Sequence, residues 1–442
     1  MNFHPYHDSN NLLTQVPLPA LVLLRQRFPR PRLSDIAATV AIIIEKSEVA
    51  TQITPGARIA IGVGSRGIAN IALIIRELVA TLRHYRATPF IFPAMGSHGG
   101  ATPEGQIEML TSLGVTEEYI GAPVVSSLEV DQLGSLPNGL PIYIDRAAHA
   151  ADGIILVNRI KPHTDFDAPI ESGLAKMAVI GMGKHKGALT MHSWGLEGLT
   201  VHVAEAARFI VQHASILFGL AIIENAYDEI AEIAFVPPES IGNELECVLL
   251  ERAKSLMPRL PWETLDVLVV DEMGKNISGA GMDPNIIGRM RWGKQKVTAT
   301  DISSIAVLAL TPASHGNAIG LGAADFTTQH LLQKIDMQAF YINCITAGVI
   351  ALNSAKIPLV LETEREAVAA AIRSCGRPDL TQVHLARIKN TLNLEYILAS
   401  ESMLKDLRAD SDIEVLNRAH HFPVEPDQTL TPFEHVVEAS NV

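Results

Sequence analysis

The chain reads as an α/β protein built from two α/β domains with a cleft between them. Three observations carry that expectation. The 442 residues exceed what one hydrophobic core usually organises. A pattern of short apolar strand, glycine-rich loop and amphipathic helix recurs along the chain. The proline-containing stretch SLMPRLPWE, 255–263, separates an earlier set of these repeats from a later one and reads as a junction. The expected division is an N-terminal catalytic domain over 1–258, and a C-terminal domain over 259–442 that closes the substrate cleft.

Taken in order, the opening MNFHPYHDSNNLL lacks a basic segment followed by an apolar one, so no signal peptide is expected. Arg25, Arg27, Arg30 and Arg32 form the one basic run near a terminus. Pro29 and Pro31 interrupt it, so it reads as a solvated linker rather than a polyanion site. In ARIAIGVGSRGIANIALIIRELVATLRHY, Ile59 to Val63 read as a strand and Gly62, Gly64 and Gly67 open a loop. Ile71, Ile74, Ile75, Leu78, Val79 and Leu82 then recur at helical spacing. In TPFIFPAMGSHGGATPEGQ a strand ends near Phe92, His98 stands among glycines, and Thr102 with Pro103 starts a helix. DGIILVNRIKPHTDF is a third strand entering a polar loop. From about Thr200 the pattern turns helical. After the junction, Leu265 to Val270 form a strand entering a loop with Asp271, Lys275 and Asp283. SIAVLALTPASHGNAIGLGAADF repeats the pattern with His315, Asn317 and Asp325.

The composition excludes several functions. Apolar residues at 48% and charged residues at 19% describe a globular chain rather than a disordered one. A net charge of −13 disfavours nucleic acid, which needs a basic face. No run approaches the roughly 18 apolar residues of a membrane span. Cys247, Cys344 and Cys375 are scattered and form no CxxC pair. Neither a disulfide framework nor a zinc knuckle is signalled, and a cytoplasmic location fits.

Loops leaving the carboxyl ends of strands line the ligand crevice of an open α/β sheet. Arg66, His98 and His163 all follow such strands and should share one rim. GVGSRG at 62–67 lacks the full GxGxxG form, so it is not read as a dinucleotide loop. Arg66 suits a carboxylate or phosphate, or else an ion pair with a neighbouring acid. His98 is either a turn histidine or a general acid/base. His163, between Pro162 and Asp165, forms a potential pair with it, with Asp165 placed to orient the ring. Lys176, in the otherwise apolar SGLAKMAVIGMG, is either a snorkelling side chain or a desolvated amine made nucleophilic by burial. Lys184 and Lys186 in GKHKGA read as a polar loop suited to phosphate. His192 is a lone metal-ligand candidate without HEXXH or CxxC partners, so any metal would need donors from something other than the chain.

Together RG at 66–67, GSHGGATPE at 96–104 and the run from His163 to His192 resemble the nickel-dependent lactate racemase family. DEMGKNISGAGMD also looks like a signature of that family. The resemblance implies a racemase or epimerase of a 2-hydroxy acid carrying a nickel-pincer nucleotide. Lys176 would hold that cofactor covalently through a thioamide, with Lys184 and Lys186 as further cofactor contacts, and His192 would be the protein ligand to nickel. His98 and His163 would be the acid/base pair. Arg66 would hold the substrate carboxylate, with Lys275 a further substrate contact. It also implies cofactor-making proteins as partners and is compatible with a homo-oligomer. Lactate racemases have an acidic residue and His-Thr before the arginine, where this chain has Val63, Gly64 and Ser65. The interval from His163 to Lys176 is also a few residues longer. These departures suggest a longer or polyhydroxylated 2-hydroxy acid rather than lactate. A metal-free two-base racemase and a catalytically silent anion- or nucleotide-binding homologue are the rival readings.

Overall fold

The computed structural model describes residues 6, 11–47, 49–289, 299–347 and 349–440; most of the opening MNFHPYHDSNNLL lies outside them. The chain forms two units, one of Pro29–Met257 and the other of Met1–Phe28 with Pro258–Val442.

The Pro29–Met257 unit is organised by a five-stranded sheet. Its order is Thr88–Pro93, Arg58–Val63, Gly153–Arg159, Ile216–Glu224 and Ile230–Val236. The first four strands are parallel and the last is antiparallel to its neighbour. The sheet is apolar on both faces, as expected of buried parallel strands. Ile59, Ile61 and Val63 pack into one core and Ala60, Phe92 and Leu156 into another. The helix Ile71–His84 buries Ile71, Ile74, Ile75, Leu78, Val79 and Leu82, the stripe that the spacing predicts. The helix Pro103–Ser112 starts with Thr102 accepting from the Gly105 amide and with proline in its first turn. Because the three strands preceding Arg66, His98 and His163 are parallel neighbours, their outgoing loops emerge along one edge of the sheet.

In the other unit an eight-stranded sheet runs Leu359–Leu361, Phe326–Thr328, Asp301–Leu310, Thr264–Met273, Leu385–Ile388, Tyr396–Ser400, Leu21–Arg27 and Asp412–Val415. The assignment of residues 1–258 to a single domain therefore fails at its start. The LVLL run of Leu21–Arg27 pairs antiparallel with Tyr396–Ser400. Val22 and Leu24 enter one core while Leu21 and Leu23 enter another. Burial on both faces makes this a central strand, so Arg25 and Arg27 belong to it rather than to a linker. Arg25 pairs with Glu395 and Arg27 with Glu414, whereas Arg30 and Arg32 pair with Glu229 of the other unit's own fold.

Candidate active site

The His98 loop is held by its backbone. Gly96, Gly99 and Gly100 all have positive φ. At Gly99 a Cβ would lie 2.5 Å from the Gly105 carbonyl carbon, so the tight entry into the Pro103–Ser112 helix requires glycine. From that helix Gln106, with no exposed surface, donates to the carbonyls of Gly96 at 3.0 Å and His98 at 3.2 Å. The His98 ring meets the Ser65 hydroxyl through Nδ1, which joins the loop following Arg58–Val63 to the loop following Thr88–Pro93.

His163 is half-buried and stacked on Phe166, with ring centroids 4.3 Å apart. Its amide donates to buried Glu171 at 2.6 Å. The orienting group is the Asp165 backbone amide, which donates to Nδ1 at 3.1 Å, while the Asp165 carboxylate stands 3.8 Å from Nδ1. With Nδ1 accepting, the neutral ring carries its hydrogen on Nε2. That nitrogen faces the Lys176 amine, so the contact is satisfied when the amine is unprotonated. Burial, and then the charge of Arg66, push Lys176 down to about 8 against the opposing pull of Asp165, consistent with a neutral amine at mildly alkaline pH.

Lys176 ends the one-turn helix Leu174–Lys176, which runs into a π-helical turn, Met177–Gly181. Such turns are rare and recur at functional sites. Buried Glu246 accepts from the Ala175 amide at 3.0 Å and from Gly242 at 3.0 Å, anchoring the start of that helix. Gly173, at φ +150, leaves room for the anchor: a Cβ there would sit 2.5 Å from a Glu246 carboxylate oxygen. Gly173→Ala is therefore expected to destabilise the unit by about 2–4 kcal/mol, measured by denaturant unfolding.

His192 lies on the helix Lys184–Ser193. Its ring is biased toward the neutral form by burial and then by Lys176, with Asp165 opposing. His98 is pushed down to about 4 by enclosure, then by Arg66, Lys176 and His192. Both histidines keep solvent contact, which tempers the burial effect, but the neighbouring cations act in the same direction. These effects place Arg66, Lys176 and His192 within electrostatic reach of His98, and Arg66 and His192 within reach of Lys176, while His163 touches Lys176. The structure thus brings together five side chains far apart in sequence.

Three expected residues have partners of their own. GKHKGA is the start of a helix, not a polar loop. Lys184 has no exposed surface and lies 3.1 Å from Asp145, so it is closed to a phosphate. Lys186 is exposed, with its ammonium 4.5 Å from the Tyr143 ring centroid. Lys275, in the other unit, donates to the carbonyls of Gly279 and Ile319. Asp325 pairs with Arg289 at 2.7 Å, and His315 takes a left-handed turn conformation.

Sequence reasoning noted Ser65 only as a departure from the family pattern, and missed Gln106, Glu171 and Glu246. Glu246 did leave a trace: it falls on the same helical stripe as Leu249, Leu250 and Ala253, where a carboxylate signals a buried task. The others carried no comparable signal.

Residues 26–198 match the family model of the lactate racemase N-terminal domain. This segment is lactate racemase-like. The lactate racemase N-terminal domain match spans Arg66, His98, His163, Lys176 and His192, whereas Lys275 lies outside it. No curated protein matches the chain. Among solved structures, a Thermotoga maritima protein determined by structural genomics has 14% identity and a TM-score of 0.49, covering 78% of this chain and 91% of its own. The lactate racemase apoprotein from Thermoanaerobacterium thermosaccharolyticum has 15% identity and a TM-score of 0.46, covering 83% and 84%.

Among the described residues, no group of three His, Cys, Asp or Glu could hold a metal, and no helix is long and apolar enough to cross a membrane. Three imidazoles stand about Lys176, that of His163 in contact with the amine and those of His98 and His192 within electrostatic reach. His163 Nε2 and His98 Nδ1 are engaged by Lys176 and Ser65, so a metal held here by His192 would need further donors from a bound group.

Proposed function

We propose that this chain inverts C2 of a 2-hydroxy acid, as a racemase or epimerase that uses a nickel-pincer nucleotide tethered to Lys176. The observation that carries the reading is the grouping of an amine lowered to about 8 by burial, a candidate metal imidazole, two further histidines and an arginine around one sheet edge. The residues fit the group: Lys176 would form the covalent link and His192 would ligate nickel. When bound, the group supplies reversible acceptance of hydride from C2.

The chain's own residues do the remainder. Arg66, exposed at the rim, binds the substrate carboxylate and orients C2. His98, biased to the neutral form, is ready to take the hydroxyl proton on one face. His163 serves the opposite face through Nε2, its Nδ1 being occupied by the Asp165 amide. Tethering would convert the Lys176 amine to an uncharged group. It would thereby remove a cation that lowers both His98 and His192, and free His163 Nε2 for substrate. Val63 and Gly64 stand where lactate racemases have an acidic residue and a histidine, and the interval from His163 to Lys176 is longer, which together favour a longer or hydroxylated side chain over lactate.

The test uses cofactor-loaded protein, coexpressed with cofactor-making proteins, on a panel of 2-hydroxy acids deuterated at C2 in ordinary water. Inversion with the label retained is expected. Inversion with the label washed out would assign a metal-free two-base exchange, and tight binding without inversion would assign a silent binding protein.

A further inference from the structure

Lys184 combines three costly features. It has no exposed surface, burial lowers its pKa against the pull of Asp145, and its backbone lies in the left-handed region at φ +55, unfavourable for a side chain of this kind. A buried cation in a strained position persists where surrounding structure fixes it, so its contacts indicate what it holds.

Those contacts cross three elements. The residue opens the helix that carries His192. Its ammonium donates to the carbonyl of Pro93, the last residue of the strand before the His98 loop. It also lies 3.4 Å from Gln106 Oε1 and 3.1 Å from Asp145 Oδ2. That oxygen has no other partner among the described residues, while Asp145 Oδ1 accepts from the Ala148 amide at 2.9 Å. With its oxygen facing Lys184, Gln106 turns its amide group onto the carbonyls of Gly96 and His98. A second link runs from the Gly96 amide to the Gly181 carbonyl at 3.3 Å, at the end of the π turn that follows Lys176.

We infer that Lys184 is a positioning residue: with Asp145 and Gln106 it forms a buried polar brace that fixes the His98 loop relative to the helix carrying His192. Without the ammonium, Gln106 loses the partner that sets its amide orientation, and the two loop carbonyls lose their donor. Asp145 would also be left as an uncompensated buried charge.

The test has two arms on the full chain. Hydrogen exchange is read by mass spectrometry on unloaded protein carrying Gln106→Leu, or Lys184→Met with Asp145→Asn. Asparagine keeps the cap on Ala148 and removes the stranded charge. Exchange across 94–102 is expected to speed by about tenfold or more while the Arg58–Val63 strand keeps its protection. A loop as protected as the parent's in the folded variants overturns the inference. Gln106→Leu decides the matter alone if the double variant does not fold. The second arm rests on the proposed function: in loaded enzyme, Gln106→Leu should lower kcat by roughly 10- to 100-fold with KM held, and cause no further loss in a His98→Asn background. An equal loss in that background would indicate general structural damage and overturn the inference. Should the chain prove to lack racemase activity, the exchange arm still decides it.

Discussion

Lys176→Ala and Lys176→Arg are expected to reduce inversion to the uncatalysed background, because the proposed function attaches the cofactor through this amine. Arginine is the informative variant. It keeps the positive charge and most of the length, yet its guanidinium stays protonated and is no nucleophile at neutral pH. A purely electrostatic role for Lys176 would survive Lys176→Arg; attachment would not. Stability should move the other way. The folded-state amine is lowered to about 8, below its unfolded value, so the unfolded chain binds more protons between these values. Stability therefore rises as pH climbs from 8 toward the unfolded pKa, and the penalty is fully present below 8. Lys176→Met removes that penalty and is expected to stabilise unloaded protein by about 1–3 kcal/mol at pH 7, with the gain fading in more alkaline buffer. Loss of the cation should also let His98 titrate closer to an ordinary histidine, readable by NMR.

The second large effect concerns the two acid/base candidates. His98→Asn and His163→Asn are each expected to lower kcat by about 10²–10⁴-fold, with KM for the 2-hydroxy acid little changed because Arg66 still binds the carboxylate. Under the proposal that the histidines serve opposite faces, each variant should impair proton removal from one enantiomer and delivery to the other. Burst kinetics with the two enantiomers should therefore show opposite asymmetry in His98→Asn and His163→Asn. Loss of the same half-reaction in both variants would remove the two-face assignment. His163→Asn carries a further effect, since it takes away the ring that faces the Lys176 amine and should alter the rate of cofactor attachment.

Much of this arrangement was legible in the sequence where local rules dominate. Ile71 to Leu82 announced a helix by period, Thr102 and Pro103 announced its successor by capping, and the recurring strand-then-loop pattern before Arg66, His98 and His163 announced a shared rim, which the parallel order of the sheet provides. What was illegible depends on tertiary partners. GKHKGA has a loop's composition, but packing turns it into a helix and buries Lys184 against Asp145, an acid far away in the chain. Arg25 and Arg27 read as linker because Pro29 and Pro31 interrupt the basic run, and only the pairing of Leu21–Arg27 with Tyr396–Ser400 places them in a strand of the other unit. Asp165 was placed correctly beside His163, but its amide rather than its carboxylate does the orienting. Backbone groups have no identity in a sequence, so such roles remain hidden until the fold is seen.

The account turns on the chemistry of one amine. The decisive measurement is the mass of the proteolytic peptide containing Lys176, together with the nickel content of the intact chain, after coexpression with cofactor-making proteins. The account predicts a covalent adduct on Lys176, with about one nickel per adduct that is lost in His192→Ala while the adduct remains. An unmodified Lys176 peptide, from protein that nonetheless inverts a 2-hydroxy acid, would contradict it.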